Sequence, residues 1–144
     1  WQVKGTGYYG PGPNYFSANP AQVWVDGQDA LLYTSRERAT ERGRAGELEV
    51  GRLVSSALVE VVRRVRLSPR YLIAKGGITS SDIATGALAI KRARVLGQAI
   101  PGVPIWRADV ESRWPGLIYV VFPGNVGGSV ALADMVQILR GHKE

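Results

Sequence analysis

One segment repeats apolar residues every three to four positions, from about Glu47 to Arg66. The apolar positions are Val50, Leu53, Val54, Ala57, Leu58, Val61, Val62 and Val65. This spacing brings all of them to one face of an α-helix. Pro69 follows and interrupts the pattern, because proline lacks the amide hydrogen that a continuing helix needs. The pattern therefore predicts an amphipathic helix from about Glu47 to Arg66.

Two uninterrupted apolar runs predict buried strands, Tyr71–Ala74 and Leu117–Phe122. Each run leads into a glycine-bearing loop and then into a segment with a helical pattern. The first predicted helix has Ser80 or Ser81 as its N-cap and ends near Gly97. The second runs from Val130 to Leu139. Two strand–loop–helix units predict an α/β layered fold with a mostly parallel sheet flanked by helices.

Shorter patterns predict three further strands: Asp29–Thr34, Val95–Ile100 and Val103–Arg107. Residues 1–20 contain many turn-forming residues and no period, and we interpret them as an irregular, linker-like start. Residues 21–144 are then expected to form one nucleotide-binding α/β domain. Nucleotide binding is predicted from the two glycine loops within this domain.

The loops Lys75–Asp82 and Phe122–Gly128 have the properties of anion sites. At a glycine-bearing turn into a helix, backbone N–H groups point outward and no Cβ blocks a phosphate, while the helix dipole favours negative charge. The glycines can equally serve only to permit tight turns, and Asn125 tolerates a left-handed conformation. Neither loop has the spacing of a Walker A loop or of a dinucleotide fingerprint. The residues alone leave both interpretations open.

Composition limits the classes of function further. The net charge is +6, which suits a polyanionic ligand. Many of the cations fall at predicted helix C-termini, where the dipole favours them, so we do not expect nucleic acid as a partner. Cysteine is absent and His142 is the only histidine, which argues against thiolate sites and a Ser-His-Asp triad. With no long apolar run and no signal-peptide pattern, we expect a cytoplasmic domain that does not enter membranes.

Four segments together resemble the C-terminal nucleotide-binding domain of the four-carbon acid sugar kinases. They are Tyr33–Arg36, Lys75–Asp82, Gly97–Pro104 and Phe122–Gly127. The resemblance spans about residues 29–139, which correspond to roughly the last third of a typical family member. It implies ATP-dependent phosphorylation, with Mg²⁺, of an acid such as threonate, erythronate or 3-oxo-tetronate. It also implies that the acid is bound by an N-terminal sugar-acid domain.

The resemblance also implies the nucleotide-binding residues. The family's phosphate loop matches Gly76, Gly77, Ile78 and Thr79, and its second nucleotide contact matches Gly124 with Asn125 beside it. No catalytic base and no protein metal ligand can be named from these motifs. Nothing in residues 1–144 resembles the sugar-acid domain, so we expect this chain alone to bind nucleotide weakly and not to phosphorylate a tetronate.

Three expectations concern function classes and partners. The leading one is the ATP-binding domain of a sugar-acid kinase. The alternatives are a non-catalytic module that binds a nucleotide or another phosphorylated ligand, and a basic nucleic-acid-binding domain. Exposed apolar surface beside the glycine loops, around Trp106 or Trp114, is expected to face the sugar-acid domain and to allow a homo-oligomer.

Overall fold

The computed structural model describes residues 2–4, 29–33 and 43–141. The chain divides into two compact units, residues 1–67 and 68–144. In the first unit, β1 (Gln2–Lys4) pairs antiparallel with β2 (Leu31–Tyr33). The helix α1 (Gly43–Arg64) follows. Most of the predicted irregular start lies outside the described residues, and the domain boundary at residue 21 stays a prediction.

Helix α1 confirms the strongest periodic pattern of the sequence. It begins four residues before the predicted start and ends at Arg64. Arg63 and Arg64 occupy its last turn, where cations interact favourably with the helix dipole. The Nε atom of Arg64 also donates a 2.9 Å hydrogen bond to Glu60 one turn earlier. The helix ends at Arg64, two residues before the predicted end at Arg66.

The second unit contains a four-stranded sheet with the order β3-β6-β5-β4. The strands are β3 (Tyr71–Lys75), β4 (Ala93–Ile100), β5 (Val103–Ala108) and β6 (Ile118–Phe122). Only β3 and β6 are parallel, while β5 runs antiparallel to both β4 and β6. The prediction of a mostly parallel sheet was wrong, although the α/β class is correct.

The tight connection between β4 and β5 explains this difference. Pro101 and Gly102 alone separate the two strands, and so short a connection can only reverse the chain direction. The amide of Gly102 donates a 2.8 Å hydrogen bond to the side chain of Gln98. Since β4 and β6 both run opposite to β5, this turn lies at the same sheet edge as the carboxyl ends of β3 and β6.

Helices pack against both faces of the sheet. On one face, α3 (Ala131–Gly141) contributes Ala131, Met135 and Leu139 to a buried cluster with Val103, Val120 and Phe122. Tyr119 points to the opposite face, because neighbouring residues in a strand alternate. There its hydroxyl donates a hydrogen bond to the carbonyl of Ser80 in α2 (Gly77–Asp82).

The predicted helix between the first loop and Gly97 is much shorter in the structure. After α2 the chain widens into a π-helical turn at Ile83–Ala87, and β4 begins already at Ala93. Ala89 adopts a positive φ of 52°, which no continuing helix contains. The apolar positions beyond the helix are buried because the chain still covers the core. The predicted helix includes the apolar residues Leu88 and Ile90, but they are buried in a non-helical segment.

A charged cluster lies near the start of β4. The Nε atom of Arg92 lies 3.0 Å from Glu111 Oε1 and 3.5 Å from Asp109 Oδ2. The hydrogen bond from Arg92 lowers the pKa of the Glu111 carboxyl, and the same bond raises the pKa of Arg92. Because β4 starts at the edge opposite the glycine loops, these charges are remote from the candidate site.

Candidate functional site

The two glycine loops meet at one edge of the sheet. The last residues of β3 and β6, Lys75 and Phe122, are register partners in the parallel pair. The pairing continues into the loop, where the Gly76 amide donates a 2.8 Å hydrogen bond to the Phe122 carbonyl. The predicted parallel arrangement of these strands is confirmed. Within the described sheet β3 is the edge strand, and β6 lies between β3 and β5.

The first loop changes directly into a helix. Gly76 has φ 101° and ψ 137°, a conformation that side-chain-bearing residues rarely adopt, and α2 begins at the next residue. The first helical turn closes where the Ser80 amide donates to the Gly76 carbonyl at 2.9 Å. The amides of Gly77, Ile78 and Thr79 precede this bond, so they have no acceptor within the helix. They are available to an anion.

Open space lies over this loop. A Cβ atom built on Gly77 would meet nothing within 4 Å, and the same is true of Gly124. Ile78 is 77% exposed. The protein's own packing therefore does not require glycine at position 77 or 124. Such a gap fits a phosphate group that approaches the backbone closely, so the residues present are compatible with a bound nucleotide.

The second loop is shaped by Gly127. This residue has φ 81°, and a Cβ built there would overlap the Cβ of Ala131 and lie 3.5 Å from the Phe122 ring. Gly127 is thus required by conformation and by packing. Gly124 and Asn125 lie before it and are exposed. Their predicted ligand contacts stay a prediction.

The turn between β4 and β5 lies beside the second loop. A Cβ built on Gly102 would lie 3.5 Å from the Val126 side chain. This turn falls within one of the segments that carry the family resemblance, yet the sequence reasoning assigned it no place near the site. The two-residue Pro101-Gly102 connection indicates an antiparallel hairpin. Its turn lies at the same edge as the glycine loops, because β4 runs in the same direction as β6.

Lys75 connects the two loops. Its ammonium donates a 3.2 Å hydrogen bond to the Pro123 carbonyl and lies 4.2 Å from the centroid of the Phe122 ring. The side chain is exposed. A positive charge is therefore held between the two segments that the sequence predicts to bind phosphate.

Two buried hydroxyl groups lie behind the first loop. Ser80 or Ser81 was predicted to cap a helix, but both lie inside α2, whose N-cap is Gly76. The Oγ of Ser80 is 2.7 Å from the carbonyl oxygens of Ala74 and Gly76. Tyr119 is fully buried, and its hydroxyl donates to the Ser80 carbonyl at 2.7 Å. Burial raises the pKa of Tyr119, and a hydrogen bond with the Ala84 backbone opposes this only in part. The phenol therefore stays protonated and acts as a donor.

The sequence reasoning did not single out Tyr119. Its signal is a polar atom within an otherwise apolar strand, since a buried phenol usually finds a hydrogen-bond partner.

The tryptophans do not provide the expected exposed surface. Trp114 is 7% exposed, which contradicts its predicted place on an open apolar patch. Trp106 is half-buried, and the centroid of its ring lies 6.1 Å from the centroid of the Tyr119 ring. The exposed apolar side chains next to the loops in sequence are instead Ile78 and Val130, with Val130 62% exposed.

Two features are absent from the part of the chain that the structure describes. Within residues 2–4, 29–33 and 43–141, no group of three or more histidine, cysteine or acidic side chains is arranged to hold a metal ion. Over the same ranges, every helix is too short or too polar to cross a bilayer.

Comparison with known proteins identifies the family. Residues 17–132 match the family described as the nucleotide-binding C-terminal domain, and this range includes both glycine loops and the β4–β5 turn. Comparisons with curated proteins and with solved structures gave no match. The family match extends over more than half of the chain, and the motifs that carry the sequence resemblance lie within it. The chain therefore belongs to the nucleotide-binding C-terminal domain family, the domain of four-carbon acid sugar kinases.

Proposed function

We propose that this chain is the ATP-binding part of a kinase that phosphorylates a four-carbon sugar acid of the threonate, erythronate or 3-oxo-tetronate type. The observation that carries the proposal is the joint position of the two glycine loops. The Lys75–Phe122 register and the bond from Gly76 to Phe122 bring them to one sheet edge, and both Gly77 and Gly124 face open space.

In this proposal the chain binds and orients the phosphates of ATP. The amides of Gly77, Ile78 and Thr79 donate hydrogen bonds to phosphate oxygens, and the helix dipole adds to the attraction. Gly124 and Asn125 approach the nucleotide from the second loop. Mg²⁺, when bound with ATP, neutralises charge that develops on the phosphates during transfer. We assign the sugar-acid site and the base that activates its hydroxyl to a sugar-acid domain outside this chain.

Calorimetric titration of Gly77→Val with Mg-ATP tests the site. We expect the affinity to fall at least about tenfold, because the new side chain fills the space that a phosphate needs. Gly51→Val is the matched control: its Cβ also meets nothing within 4 Å, but it lies on α1. The control should bind Mg-ATP as the unchanged chain does. Equal affinity of all three proteins would contradict a phosphate contact at Gly77.

Thr79→Ala tests the hydroxyl of the same loop. Hydrogen bonds to charged groups contribute about 1.5–3 kcal/mol, so we expect a loss of at least about tenfold in affinity if this hydroxyl binds a phosphate. Unchanged affinity would limit the contact at this position to the backbone amide.

A nucleotide-binding module without catalysis would use the same loops, so binding alone does not separate the two functions. A coupled assay of ADP release with a panel of four-carbon acids does. We expect no turnover by residues 1–144 alone and turnover after a sugar-acid domain of the family is added. No turnover in either case would favour the non-catalytic module, whereas turnover by the chain alone would place the acid site within it. The cytoplasmic location and the homo-oligomer stay predictions.

A further inference from the structure

The two buried hydroxyl groups behind the first loop form a continuous set of hydrogen bonds. Ser80 is 2% exposed, and its Oγ lies 2.7 Å from the carbonyls of both Ala74 and Gly76. The Ser80 carbonyl in turn accepts the hydroxyl proton of Tyr119. These bonds join the end of β3, the loop residue Gly76 and the helix α2 to the central strand β6.

Tyr119 also contacts the helix that follows the loop, at the place where its hydrogen-bond pattern changes. In a continuous α-helix the Ser80 carbonyl would accept the amide of Ala84, four residues later. Here the Ser80 carbonyl accepts the phenol of Tyr119 and the amide of Ile83, and the phenol also hydrogen-bonds with the Ala84 backbone. A side chain inserted into the ladder of helical hydrogen bonds is an established cause of irregularity in a helix. The π-helical turn at Ile83–Ala87 begins at this place.

We infer that Tyr119 and Ser80 are positioning residues for the nucleotide loop. Their hydrogen bonds fix the Gly76 carbonyl and the first turn of α2, so the amides of Gly77–Thr79 keep one direction toward the ligand. Neither side chain touches the nucleotide in this arrangement, since both are buried behind the loop. The inference rests on the proposed function, because it assigns these residues a role in binding ATP.

Substitution of the two hydroxyl groups tests this role. Tyr119→Phe removes one oxygen and keeps the ring, and we expect the Kd for Mg-ATP to rise about threefold to tenfold. Ser80→Ala should have a similar effect, and Ser80→Thr should restore affinity, because threonine can make the same hydrogen bond within a helix. Ser112→Ala is the matched control. That serine is also buried and its hydroxyl donates to the backbone carbonyl of Asp109 at 2.8 Å, but it lies in the loop after β5.

A purely structural role would lower the melting temperature of Tyr119→Phe and of Ser112→Ala without changing either Kd. That result would overturn the inference. A second measurement needs no ligand: ¹⁵N relaxation of the Gly76–Thr79 amides in the 144-residue chain. We expect these amides to become more mobile in Tyr119→Phe and Ser80→Ala but not in Ser112→Ala or Ser80→Thr. Unchanged relaxation in the first two variants would also overturn it.

The two proposals fail in different ways. If the unchanged chain does not bind Mg-ATP, the proposed function is refuted, and the relaxation of the loop amides alone decides whether Tyr119 and Ser80 position the loop. If Tyr119→Phe does not fold, the comparison of Ser80→Ala with Ser80→Thr decides by the same two measurements.

Discussion

The adjacent glycines Gly127 and Gly128 should respond very differently to alanine. A Cβ on Gly127 would require a left-handed conformation, at a cost of about 1–2 kcal/mol. It would also overlap the Cβ of Ala131, and relief of such crowding in a packed region costs about 1–3 kcal/mol. Gly128→Ala meets nothing within 4 Å and has no positive φ. We therefore expect Gly127→Ala to lower the free energy of unfolding by about 2–5 kcal/mol and Gly128→Ala to leave it within about 1 kcal/mol of the unchanged chain.

Urea denaturation followed by circular dichroism measures this difference. The two variants should unfold at clearly separate midpoints with similar slopes. The double variant Gly127→Ala with Ala131→Gly separates the two costs, since it removes the overlap and keeps the backbone strain. It should recover part of the midpoint loss. Equal midpoints for Gly127→Ala and Gly128→Ala would refute the conformation of the second loop on which the site depends.

Two further predictions concern charge. Lys75→Met should raise the Kd for Mg-ATP about twofold to fivefold at low salt and by less at high salt, whereas Lys91→Met, before β4 at the opposite sheet edge, should leave it unchanged in titrations at two salt concentrations. For Glu111, whose pKa is lowered by Arg92, the ion pair stabilises the folded chain above the ordinary carboxyl pKa and is lost as the pH falls through the lowered value. An NMR titration of the Glu111 carboxyl should show its pKa rise in Arg92→Ala, and an unchanged pKa would contradict the hydrogen bond between them.

The sequence predicted elements better than it predicted their pairing. The apolar runs at Tyr71 and Leu117 identified β3 and β6, because strands of a parallel pair are typically continuous apolar runs. The expected burial holds for most of β6, whereas only Ala74 of β3 is fully buried. An apolar pattern does not indicate the relative direction of two strands. The strands β4 and β5 were therefore predicted, but their antiparallel pairing was not. The connection of only two residues between them, Pro101 and Gly102, indicates the antiparallel pairing, because so short a turn reverses the chain direction.

Only part of the candidate site could be predicted from local patterns in the sequence. Glycines at strand ends point to the place where backbone and ligand meet, and the structure brings both loops together. It also shows that Gly127 has a packing role, which depends on where Ala131 and Phe122 lie in space. The contribution of Tyr119 depends on a contact between the sheet and α2, where its partner Ser80 lies 39 positions earlier in the chain. No local pattern contains such a contact.

The parallel pairing of β3 with β6 also has a consequence for folding. Lys75 and Pro123, whose contact joins the two loops, are 48 positions apart, whereas β4 and β5 are separated only by their turn. Contacts between distant residues form late, because the entropy of closing a long loop is lost before they contribute stability. The hairpin and β6 should therefore assemble first and β3 last. The nucleotide site would then exist only in the fully folded unit, so that a partly folded chain could not hold ATP.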